Sequence, residues 1–321
     1  MEFGTLLLEG SSNTVSLNVN RGIVVGSSGG GVAATSGNTL TIAGVVSGAS
    51  SPLFAVNNEG QSGVVKLSGL NTYAGPTTVS GGTLTVVGVG TLGNSNSLLT
   101  LSNSTLALEN TDAYVGSLLM SGAASRITSA GGTSLTVSGA STVANSLVTT
   151  GIQSFGGAVT LGANVSLTSG SDVTFFGTIN GGFELSVNAG GVTSFTNAVG
   201  ATTELSSVSL VGAAAITAPS VKTVGAQTYS SALTLGADTT LTSTSSGAIS
   251  FGSTVDGAFS LATSSGGSTT FGGVVGMSTA LTSLSISGVN VINAASIRST
   301  GGQTYTGAVT LGADTSLTST S

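Results

Sequence analysis

The 321-residue sequence has no cysteine, no histidine and no tryptophan, and only sixteen charged side chains, five basic and eleven acidic. Without cysteine no disulfide can form. Without thiolate or imidazole, the usual nucleophiles, general bases and zinc ligands are missing. Five scattered cations and a net charge of −6 supply no basic stripe for neutralising nucleic-acid phosphates. Proline occurs three times and aromatic residues make up 4% of the chain. What replaces them is 51 glycines and a serine and threonine content of about a third, far above ordinary globular usage.

Low charge and abundant glycine do not amount to disorder here, because 39% of residues are hydrophobic and the mean hydropathy is +0.49. The apolar residues come in short runs such as Ala213-Ala214-Ala215-Ile216, so no stretch approaches the roughly 20 residues of a spanning helix. The start, Met1-Glu2-Phe3-Gly4, is acidic where a secretory signal is basic, and Leu6-Leu7-Leu8 is short for its apolar region.

Internal repetition organises the second half. The segment Gln153 to Asn164 (QSFGGAVTLGAN) returns as Gln227 to Asp238 and again as Gln303 to Asp314, at intervals of 74 and then 76 in the numbering. Phe183, Phe195, Val199, Leu205, Gly212, Ile216 and Lys222 recur 76 positions on as Phe259, Phe271, Val275, Leu281, Gly288, Ile292 and Arg298. The expected organisation is a segment 1–148 followed by an array 149–222, 223–298 and a partial 299–321, all read as part of a longer array.

Within each unit, apolar and polar residues alternate over four to seven positions between Gly, Asn or Asp, as in Leu281-Thr-Ser-Leu-Ser-Ile-Ser-Gly288. That is strand periodicity, and it predicts an all-β chain with helix nearly absent. Dividing 76 by four gives coils of about 19 residues, close to one turn of a strand solenoid, and some 16 such coils along the chain. Leu, Val, Ile and Phe then point into a narrow core, Ser and Thr point outward, and Gly, Asn and Asp take the corners. A sandwich or a propeller is the competing all-β fold, but propeller blades carry aromatic signatures absent here.

The stretch from Leu40 through Gly63-Val-Val-Lys-Leu to Thr83-Leu-Thr-Val86 resembles the autotransporter-associated β-strand repeat over about residues 40–109. Ser68-Gly69-Leu70-Asn71-Thr72-Tyr73 and Gly82-Thr83-Leu84 carry the likeness, with Pro76 standing where the pattern has a small residue. Residues 149–321 are similar to the Leu-Gly-Ala-Asp-Thr-Thr-Leu repeats of filamentous haemagglutinin-type and autotransporter-type adhesins. The resemblance implies a right-handed parallel β-helix, a passenger segment exported through an outer-membrane barrel to the bacterial cell surface. There it would act as a non-enzymatic spacer, with self-association or host glycans as partners.

Several residue patterns invite a chemical reading. Gly88-Val-Gly90-Thr-Leu-Gly93 matches a dinucleotide fingerprint, yet Asn94-Ser-Asn-Ser-Leu-Leu reads as a turn and strand where that motif needs a helix. Gly26-Ser-Ser28-Gly-Gly30 has nucleophile-elbow spacing with no histidine to complete a triad. Glu109, Asp112, Asp172, Glu184, Glu204, Asp238, Asp256 and Asp314 are the carboxylates from which a polysaccharide-cleaving pair would be drawn. Asn164, Asp238 and Asp314 share one repeat position, and Asn180 and Asp256 another, an exchange that favours backbone turn chemistry over ionisation. The same carboxylates are too dispersed for calcium's six to eight oxygens. Thr39-Leu-Thr41, Thr83-Leu-Thr85 and Thr240-Leu-Thr242 suggest an ice-binding ladder as an alternative, although plain strand alternation writes the same tripeptide. Arg21-Gly22 continues with Ile23, so no Arg-Gly-Asp adhesion motif occurs. The expectation is therefore no catalytic, cofactor-binding or metal residue.

Overall fold

A computed structural model describes residues 4–48, 53–58 and 60–320. Every regular element among them is a strand, with no helix, and the strands pair in parallel as a β-solenoid of about 14 turns. The chain divides into two compact units, Met1–Gly157 and Ala158–Ser321.

In the first unit, each coil places strands over the strands of the coil before. Gly4–Leu8 pairs with Gly30–Ala34, which pairs with Phe54–Val56 and so on to Thr77–Val79 and Leu98–Ser102. A second column runs from Thr14–Leu17 through Thr39–Ile42 and Val64–Leu67 to Thr83–Val87. Inward positions alternate with outward ones, so Leu40, Ile42, Val65, Leu67, Leu84 and Val86 are all buried while Thr39, Thr41 and Lys66 reach solvent. Buried asparagines tie neighbouring coils at the corners. Asn71 accepts from Val46 N (2.8 Å) and donates to Thr91 O (2.7 Å). Asn57, at φ 50°, accepts from Ala34 N (3.0 Å) and donates to Gly63 O (2.8 Å). The carboxamide suits this place because it supplies a donor and an acceptor to backbone groups that would otherwise be buried unpaired.

The second unit has three strands per turn. Ser220–Thr223, Gln227–Tyr229 and Leu233–Leu235 lie on three successive faces, and the next coil covers them with Thr239–Ser243, Ile249–Phe251 and Val255–Asp256. Coil lengths vary with the corners: the step from Val208 to its partner Gln227 is shorter than the step from Glu184 to its partner Ser207. The longer corners explain why the chain makes fewer turns than a uniform short coil implies.

The 76-residue repeat is not four coils. From Leu185 to its counterpart Leu261 the chain passes eleven strand positions, one of them the single bridge at Val199, and this is three and two-thirds turns. Each repeat consequently returns one face out of step. Phe175 and Phe195, ring centroids 5.6 Å apart, meet on the face of Leu233–Leu235. Their counterparts Phe251 and Phe271, 4.9 Å apart, stack on the face of Gln227–Tyr229. The same residues thus pair on a different side of the solenoid, tilted by 51° in the first copy and near-parallel at 14° in the second, because each face accepts an alternating strand with an inward aromatic ring.

Candidate functional site: coil corners and the outward hydroxyl face

The corner carboxylates are engaged with the backbone. Asp238 Oδ1 accepts from Ser260 N (2.8 Å), and Asn164 Oδ1 accepts from Glu184 N (3.1 Å), the same contact one repeat earlier. Asp256 Oδ1 accepts from Ser278 N (2.8 Å) and Thr279 N (3.1 Å), and Asn180 Oδ1 accepts from Thr202 N (2.9 Å) and Thr203 N (3.2 Å). Asp172 takes Val192 N at 2.8 Å, and Asp112 takes Ser134 N at 2.8 Å. Each bond reaches the coil above. A charged and a neutral side chain serve equally because only a side-chain carbonyl-type oxygen is required to receive an N–H at the corner.

Two glutamates face cations. Glu204 Oε1 lies 3.2 Å from Lys222 Nζ, while its Oε2 accepts from the Thr244 hydroxyl at 2.6 Å. The hydroxyl bond first, and Lys222 after it, hold the Glu204 carboxyl below the ordinary glutamate range. One repeat on, Ala280, Arg298 and Thr320 stand in the same order, so the carboxylate belongs to one copy alone. Glu109 and Lys66 approach to 3.8 Å and both are about 40% exposed, the geometry of a weak surface pair. Glu184 is half-buried in the strand Glu184–Ala189, and Asp314 is exposed. No group of three Asp, Glu, His or Cys side chains among the described residues could hold a metal ion.

The two glycine motifs are turns. Gly29 N donates to Gly26 O (3.0 Å) around Ser27 and Ser28, closing a two-residue reversal with Gly29 at φ 92°. Gly88, at φ 62°, opens a turn closed by Gly90 N donating to Val87 O (2.9 Å), and no helix follows. Neither has the strand-to-helix context that phosphate or nucleophile chemistry uses.

Outward hydroxyls form a longer array than the Thr-x-Thr motifs suggest. Ser166, Ser186, Ser209, Thr228, Ser250 and Thr270 occupy one register position on successive coils. Strand pairing spaces them by about 4.8 Å. The next coil interrupts the column with Val291 before Thr310. The motifs singled out in the sequence do not form continuous ladders: Thr41 stands over Lys66, Thr240 over Ala262, and Thr85 is only 3% exposed. Each tripeptide marks a strand that alternates, while the column depends on which strands the coil superposes.

Repetitive stacking, corner brackets and a polar outer face define a parallel β-solenoid. Comparison with protein-family models, with curated proteins and with solved structures found no match. No helix among the described residues is long and apolar enough to cross a membrane.

Proposed function

We propose that this chain is a non-enzymatic structural segment of a secreted bacterial surface adhesin, a spacer built of stacked coils whose outer hydroxyl face meets other surfaces weakly. One observation carries the reading: the corner carboxylates Asp112, Asp172, Asp238 and Asp256 each receive a backbone N–H of the following coil. An acid or nucleophile in a hydrolase must face substrate instead, with a partner carboxylate at a set separation. The autotransporter-type motif around Asn71 and Tyr73 supports export to the cell surface, and in this reading its asparagine serves the stacking of coils.

The test is a glycan-array and cell-binding assay of this chain beside a longer parent that contains it, with reducing-sugar release measured on a panel of polysaccharides. The expected result is no sugar release and binding far below that of the parent. Binding at the parent's strength would overturn the spacer reading, and hydrolysis of any polysaccharide would overturn the non-enzymatic one.

A further inference from the structure

We propose that Asn180–Gly181 is a site of spontaneous deamidation that the corner geometry itself creates, slows in the folded chain, and accepts in its aspartyl form. Asn180 is the one asparagine of the sequence that is followed by glycine. An unhindered glycine amide is the backbone group best able to attack a preceding carboxamide. The Gly181 nitrogen bonds to Asn180 Cγ, the side-chain nitrogen leaves as ammonia, and a five-membered succinimide results. Water then adds to either ring carbonyl and opens it to an aspartyl or an isoaspartyl linkage. One water enters, one ammonia departs, and nothing is oxidised.

Both halves of this labile pair are demanded by the fold. Gly181 sits at φ 129°, and a Cβ there would lie 2.6 Å from Leu161 O on the coil below. Its counterpart Gly257 sits at φ 134°, where a Cβ would press against Leu235 O. A side chain is therefore excluded at this corner in both repeats. The residue before it must offer one oxygen to two N–H groups, as Asn180 does for Thr202 and Thr203 and Asp256 does for Ser278 and Thr279. The later repeat thus already carries, as Asp256, the acid that deamidation would produce from Asn180. A carboxylate in that position keeps both bonds, as Asp256 does.

The folded corner also restrains the reaction. Gly181 N donates to Thr203 O (3.2 Å), so the attacking nitrogen and the Asn180 side-chain oxygen are both held to the next coil. Attack requires the corner to open first. The isoaspartyl product, with an extra methylene in the main chain, cannot keep Gly181 over Leu161 and should leave the native population.

The experiment is peptide mapping by mass spectrometry of the purified chain, incubated at mildly alkaline pH either folded or in urea. Conversion at Asn180 is expected to be at least about tenfold slower in the folded sample, because the closed corner must open locally before attack. Asn164, which precedes Val165, serves as the internal control and should remain an amide in both samples. The Asn180→Asp variant is expected to unfold at the same urea concentration as the parent chain. Equal rates in the two samples, no conversion in urea, or a clear loss of stability in Asn180→Asp would each overturn the proposal.

Discussion

The phenol of Tyr229 donates to Gln227 Oε1 at 3.0 Å, and both side chains are buried in the solenoid. The Gln227 amide nitrogen in turn donates to Val221 O (3.1 Å), Thr223 Oγ1 (3.2 Å) and Thr242 O (2.9 Å). One repeat later Tyr305 and Gln303 reproduce the arrangement on another face, with the phenol bond at 2.9 Å and the amide reaching Ile297 O, Ser299 Oγ and Thr318 O. At Gln227 the carboxamide's donors and acceptor are all paired, which offsets the cost of burying it.

Removing parts of that arrangement should cost in order. Tyr229→Phe strands one acceptor, and the expected loss is about 1–3 kcal/mol. Phe155 occupies the equivalent position after Gln153, so the ring alone fits the site. Gln227→Leu also deprives two coil carbonyls of their donor and should cost about 3 kcal/mol or more. Urea unfolding midpoints of the two variants give the order directly; a Gln227→Leu variant as stable as the parent would contradict the pairing described.

Stability should fall at alkaline pH. Burial pushes the phenols of Tyr73 and Tyr229 well above the ordinary value of 10.0, with the Thr77 hydroxyl pulling Tyr73 slightly the other way, and raises Tyr305 to about 12. The folded chain holds these protons at a pH where the unfolded chain releases them. The contribution is therefore complete below about pH 10 and declines as pH rises from there through the folded values. Circular dichroism followed with tyrosinate absorbance should show the buried phenols of Tyr73 and Tyr229 ionising together with unfolding; ionisation of these two phenols with the fold intact would contradict it.

Exchanging acid for amide at a corner should matter little. Asp256→Asn retains an oxygen for Ser278 N and Thr279 N, as Asn180 does for Thr202 and Thr203, and the expected change lies within about 0.5 kcal/mol. Asp256→Ala removes the acceptor and should cost about 1–2 kcal/mol. Thermal melts of both variants make the comparison, and equal losses would mean that the charge, not the hydrogen bonds, matters at this corner.

Phenylalanine should divide by direction. Phe251 is 1% exposed and stacks between Tyr229 and Phe271, at 5.5 and 4.9 Å, whereas Phe176 is 55% exposed. Phe251→Ala is expected to cost about 3–5 kcal/mol through lost burial and the cavity left behind. Phe176→Ala should stay within about 0.5 kcal/mol. Chemical denaturation of the pair checks this, and similar losses would contradict the inward and outward assignment.

The corner chemistry is partly legible in the sequence. Exchange of Asn with Asp at positions 164 and 238, and at 180 and 256, points to an oxygen used for turn geometry, and the structure supplies its donors on the following coil. The Glu204 contacts are not legible, because Lys222 and Thr244 are distant in the chain and meet it only across stacked coils. Asn71 stands in the sequence as one letter of a motif. Its role as a bracket appears only when Val46 and Thr91 are brought to either side of it.

Alternating side chains, short apolar runs and glycine-rich corners are enough to determine strands, an inward and an outward face on each, and a long repeat that returns Phe195 as Phe271. The strands and their faces are local properties, set by the two-residue period of an extended backbone. How many strands close one turn is not a local property, since a strand with its apolar residues inward fits any face equally well. Corner lengths and hydrogen bonds between successive coils decide it, and they set three strands to the turn. Eleven strand positions per repeat do not divide by three, so the tertiary structure alone places Lys222 on one face and its counterpart Arg298 on another.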